Sequence, residues 1–162
     1  MHVWAKSTLV LVTTMYLFFA GLPAHAADCN PKELPDGYSS LGGWTIGDPY
    51  SKGKKYAMNF ACKNNICDRF YLNRFLYHDK DGCAHFVSID HVAIPVLNKG
   101  ENYAFECSRN GKWEPEIVAF VRTTDEEYYT QIIHAWRANR DREKIEKITT
   151  QGIICRNESY GL

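Results

Sequence analysis

Residues 66–94 read ICDRFYLNRFLYHDKDGCAHFVSIDHVAI, and this stretch decides the fold class. Phe70, Leu72 and Leu76 alternate with Tyr71, Asn73, Phe75 and Tyr77, the two-residue period of a strand with unlike faces. Asp79-Lys80-Asp81-Gly82 then supplies turn chemistry, since aspartate side chains bond nearby backbone amides and glycine accepts an unusual φ. Ala84 to Ile94 resumes the extended pattern until Pro95 and Asn98 to Gly100 close it. Aromatic and β-branched residues on both sides of an Asp/Gly turn predict a β-hairpin.

The same signals recur downstream. Tyr103 to Cys107 leads through Asn110-Gly111 to Trp113 and onward through Ile117, Val118, Phe120 and Val121. Asn-Gly is the preferred pair of a tight hairpin turn because both positions need positive φ. Between Glu126 and Ile148 the pattern is double. Tyr129, Ile132, Ile133 and Trp136 fit a helical stripe, whereas Ile132, His134, Trp136 and Ala138 fit one face of a strand. Asn139-Arg140-Asp141 interrupts the apolar pattern where a turn would sit, so the strand reading is preferred and a single helix is the alternative. Ile153-Ile154-Cys155 forms a last short apolar segment. Upstream, residues 28–53 are rich in Gly, Pro, Ser and Asp, and only Leu41 to Ile46 reads as a short strand. The expected fold is therefore mainly β, a small antiparallel meander forming a barrel or sandwich, with one helix at most.

At the N-terminus Lys6 precedes an apolar run from Leu9 to Ala20 that breaks at Gly21 and Pro23. Ala24 and Ala26 place small side chains before a cut after Ala26, so residues 1–26 are expected to be a cleavable export signal. Asp28 precedes Cys29, which does not suit lipid attachment. Residues 27–162 then form one mature domain on the order of 135 residues, a common single-domain size, with no stable membrane span after cleavage. Its compartment is periplasmic or secreted.

All six cysteines, Cys29, Cys62, Cys67, Cys83, Cys107 and Cys155, lie in that mature part, and in an exported chain they are disulfide candidates. Six thiols allow fifteen pairings, and spacing alone selects none of them. Cys62 and Cys67 have a spacing that zinc ribbons also use, but no second short pair completes such a site. No cofactor is implied.

Nineteen basic and nineteen acidic side chains cancel, which leaves no global field for nucleic acid or an anionic membrane. Arg137, Arg140, Arg142, Lys144 and Lys147 are the main basic concentration, but Asp141, Glu143 and Glu146 are interleaved with them. A mixed, solvated surface fits that pattern, and nucleic-acid binding, which needs one sign, does not. Neither a Gly-x-Ser-x-Gly elbow nor a phosphate-cradling glycine loop occurs. The calcium-loop reading of Asp79 to Gly82 fails because Tyr77 and Ser88 fall where the first and last carboxylates belong.

Two candidate sites remain. His78 and Asp79 could combine with His85 across the first hairpin turn, as a small hydrolase, metal-assisted or not, would require. On a strand, by contrast, Asp90 and His91 face opposite ways. The other candidate is a recognition surface built from surplus aromatics, with Tyr77, Tyr128, Tyr129 and Trp136 as its residues. Tyr128 and Tyr129 cannot both face inward on one strand. The expectation that follows is a non-catalytic binding protein of the bacterial envelope, of inhibitor, immunity or accessory type, whose partner is another protein. A durable structural component is the remaining alternative. Asn157-Glu158-Ser159 matches a glycosylation pattern and is read as accidental.

Overall fold

The structure, a computed structural model, describes residues 34–46 and 55–161; the expected signal over residues 1–26 and Cys29 lie outside them. Among the described residues twelve strands form three antiparallel sheets. The first contains β1 (Ser39–Ile46), β2 (Tyr56–Lys63), β3 (Ile66–His78) and β4 (Ala84–Ala93) in that order. The second runs β11 (Lys144–Ile148), β10 (Ile132–Asn139), β8 (Ile117–Arg122), β5 (Glu101–Ala104). The third runs β7 (Lys112–Trp113), β6 (Cys107–Arg109), β12 (Ile153–Arg156), β9 (Tyr128–Tyr129). Among the described residues the only helical element is a 3-10 turn at Pro35–Gly37, so the helix alternative for residues 126–148 falls. Those residues instead contain β9, β10 and β11, and the latter two reverse direction at the interruption read from Asn139-Arg140-Asp141.

The sheets do not close into a barrel; they stack as a sandwich with the second sheet in the middle. One face of that sheet sends Val118, Phe120, Trp136 and Ile145 against Ile46, Met58, Phe70 and Leu72 of the first sheet. Its other face meets Cys107, Tyr129, Ile153 and Cys155 of the third through Ile117, Ala119, Val121 and Ala135. A strand covered on both faces has no polar side to show, which is why Ile117 to Val121 is an unbroken buried run. Each large apolar side chain so buried contributes roughly 1.5–3 kcal/mol.

The first hairpin forms as expected, with Phe70 paired to Val92 and Phe75 to Phe86. The second is bent. Asn110 (φ 51) and Gly111 (φ 76) make the expected turn, but they join only β6 to β7, while β5 pairs with β8 in the neighbouring sheet. The corner is Glu106, whose φ of 49 takes the chain from one sheet to the next. β2 was not anticipated, although Tyr56, Met58 and Phe60 alternate inward along it.

Cross-strand neighbours carry the disulfides: Cys62 with Cys67 across the β2–β3 hairpin, and Cys107 with Cys155 across β6 and β12. The first removes the zinc reading of that pair, and the second ties the C-terminal strand to the body. Cys83 is disulfide-bonded as well. The β10–β11 turn is held against the first sheet by Glu143, whose carboxylate accepts two hydrogen bonds from Arg74 Nη1 (2.8 and 2.9 Å) and one from the Tyr56 hydroxyl (2.9 Å). Asp90 Oδ2 accepts the Ile145 N–H at 2.7 Å, joining the edges of the first two sheets.

Candidate recognition surface

Inward anchors settle which residues of the third sheet face out. Cys155 is buried in its disulfide and Ile153 in the core, so Ile154 and Arg156 emerge on the opposite face of β12. Tyr129 is likewise buried, with its hydroxyl donated to Asn157 Oδ1 at 2.7 Å, and Tyr128 therefore faces outward. The Asn110-Gly111 turn brings Trp113 back beside Ser108, which in turn pairs with Ile154. Gly152 packs directly against this turn, since a Cβ there would stand 2.1 Å from Asn110 Oδ1.

The result is a cross-strand row, Trp113–Ser108–Ile154, with the Arg156–Tyr128 pair two residues along β12. Trp113 is 63% exposed, Tyr128 46% and Ile154 39%. Of the aromatics singled out from the sequence, Tyr128 belongs to this face. Tyr129 and Trp136 are core residues, at 5% exposure each, and take no part in a surface. Trp113 and Ile154 were missed. Ile154 was legible in principle, because a disulfide cysteine points inward and its neighbours on the strand must then point out.

Tyr77 is exposed elsewhere, on the tip of the first hairpin, where its ring stacks on His85 with centroids 4.6 Å apart. There Asp79 and His85 do meet, with Oδ2 and Nε2 2.8 Å apart. Asp79 Oδ1 also accepts the backbone N–H groups of Cys83 (2.9 Å) and Asp81 (3.0 Å). The bond to His85 first, and the Cys83 amide second, hold the Asp79 carboxyl below the usual aspartate range. His78 diverges, with its ring 4.8 Å from that of Phe75 on the other face of the hairpin. The three residues of the hydrolase reading thus do not converge, and among the described residues no three His, Cys, Asp or Glu side chains are grouped to hold a metal ion.

A polar groove of about 740 Å³ runs along the β10–β11 turn and is lined by Glu116, Arg137, Arg140 and Glu146 among others. Its arginines are neutralised in place: Arg137 by Glu114 at 3.0 Å, Arg140 by Glu116 at 2.6 Å. Arg142 pairs with Glu146 at 3.2 Å. The three arginines of the mixed-charge surface read from the sequence thus each sit in a local ion pair. No helix among the described residues is long and apolar enough to cross a membrane. Comparison with protein-family models, with curated proteins and with solved structures finds no match to this chain.

Proposed function

We propose that this protein is an exported, non-catalytic binding protein of the bacterial envelope, of inhibitor, immunity or accessory type, and that it docks another protein on the outer face of its third sheet. The observation that carries this reading is the contiguous exposure of Trp113, Ile154 and Tyr128 on a sheet crossed by the Cys107–Cys155 disulfide. Tyrosine and tryptophan give large contact area for few rotatable bonds, and a disulfide across the sheet lowers the ordering cost on binding. Its disulfides suit an oxidising compartment, in keeping with export.

The test is capture of envelope and secreted proteins on the immobilised, oxidised protein, followed by affinity measurement with the partner identified. Trp113→Ala and Tyr128→Ala are each expected to weaken that complex by about 2 kcal/mol or more, roughly thirtyfold, while the unfolding midpoint stays put. Unchanged affinity in both variants would remove the third sheet from the interface.

A further inference from the structure

The edges of the described sheets are unequally defended. β11 carries Lys144, Glu146 and Lys147; β5 has four residues, and β7 and β9 have two each. β1 is interrupted by a bulge at Ser40/Gly42 and by the Gly42-Gly43 pair. Charge, shortness and bulges are the ordinary means of blunting an edge. Over Ala84 to Ser88 the inserted residue of the β3–β4 register shift, Leu76, lies on β3 and not on β4, and from Ala84 to Ile89 β4 carries neither an acidic or lysine/arginine side chain nor a proline.

Hydrogen-bond parity shows which β4 groups face out. Phe75 N–H bonds Lys55 C=O on the β2 side, so the Phe75–Phe86 pair is a non-hydrogen-bonded one. The N–H and C=O of Phe86 therefore point away from β3, to the edge that no described strand covers, as do those of Ala84 and Ser88 by alternation. Exposed apolar side chains flank this backbone: Phe86 on one face, Val87 and Tyr77 on the other, at 43%, 37% and 53% exposure.

We propose that a second copy of this chain pairs with this edge, antiparallel and about a two-fold axis through Phe86, joining two four-stranded sheets into one. Phe86 then exchanges both backbone bonds with Phe86 of the copy, and Ala84 does so with Ser88, about six bonds in all. His85 falls beside Val87 of the copy. Like charges meet across a two-fold axis when the residue on the axis is charged, and here that residue is Phe86. The nearest acids along the strand, Asp81 and Asp90, fall opposite His91 and Gly82 of the copy, and Asp79 is bonded to His85, whose neighbour in the copy is Val87, so no acid meets an acid. The pairing ends at Ile89, where β4 has an unpaired residue and Asp90 turns to Ile145.

The experiment is sedimentation of the oxidised protein over a range of concentrations, with amide hydrogen exchange on the same samples. The native chain is expected to form dimers, and the amides of Ala84, Phe86 and Ser88 to slow as concentration rises. Phe86→Pro deletes an N–H that the monomer does not use and is expected to weaken association about a hundredfold or more with an unchanged circular dichroism spectrum. Phe86→Lys sets two charges against each other across the axis and is read in its place if the proline variant does not fold. A native chain that stays monomeric at millimolar concentration overturns the proposal. So does a dimer that Phe86→Lys leaves intact, or exchange at Phe86 that slows only when a different protein is added.

Discussion

The Asn157 side chain is buried and engaged on every side. Its Oδ1 accepts the Tyr129 hydroxyl at 2.7 Å and the Ser159 N–H at 3.1 Å, and its Nδ2 donates to the carbonyls of Thr124 (3.1 Å) and Glu126 (2.9 Å). One amide thus fastens the 124–127 connection and the C-terminal residues to β9. Asn157→Ala leaves those groups without their partner and is expected to lower stability by about 2–4 kcal/mol, measured by urea unfolding. Tyr103 makes a pH-dependent contribution. Its hydroxyl donates to Pro95 C=O, and burial, with the Glu101 charge second, raises its pKa far above the tyrosine norm. In the unfolded chain the phenol ionises near pH 10, so the contribution is full below about that value. Above it the unfolded state sheds a proton the native state keeps, and stability falls as pH rises towards the folded pKa. Urea midpoints taken between about pH 9 and 11 should therefore fall less steeply in Tyr103→Phe than in the native chain.

At the scale of elements, Glu143 occupies a turn with φ 54, a region that costs a non-glycine residue about 1 kcal/mol. Its bonds to Arg74 and Tyr56 hold it there. Glu143→Gly relieves the backbone yet removes the carboxylate, and the net expectation is a loss of about 1–2 kcal/mol in urea unfolding. A gain in stability would mean that the turn, not the carboxylate, places β11. Glu106 makes the same point about legibility. Asn110-Gly111 announced its turn because those residue types are chosen for positive φ, whereas a glutamate at φ 49 carries no such mark, and the bend of the second hairpin could not be read. Along β2, Tyr56, Met58 and Phe60 alternate with Ala57, Asn59 and Ala61, residues with little strand preference, and its signal was weak. The candidate surface was half legible: Tyr128 follows from the pairing rule for adjacent strand residues, while Trp136 is buried because β10 is covered on both faces, a matter of tertiary packing. In β10 the alternation was strong enough to decide strand over helix, though not to show that both faces are covered.

For the molecule as a whole, the middle sheet must be thin enough to be covered on both sides. Ala104, Ala119 and Ala135 stand in register across β5, β8 and β10, on the face that meets the Cys107–Cys155 disulfide. Small side chains there let the third sheet approach, and that sheet has strands of only two to four residues. It cannot be stable alone, so its order depends on this contact and on the disulfide, which joins residues 48 apart. Ala119→Leu forces extra methylenes into the seam and is expected to cost about 1–3 kcal/mol. The loss should be uneven: amides of β12 exchange faster in the variant, while those of β2 and β3 keep their protection relative to global unfolding. Replacing Cys107 and Cys155 together by serine, which removes a constraint of about 4 kcal/mol on loop-entropy grounds, should loosen the same amides. If Ala119→Leu instead speeds exchange equally in all three sheets, the layers unfold as one unit, and the third sheet is not the weaker partner of the stack.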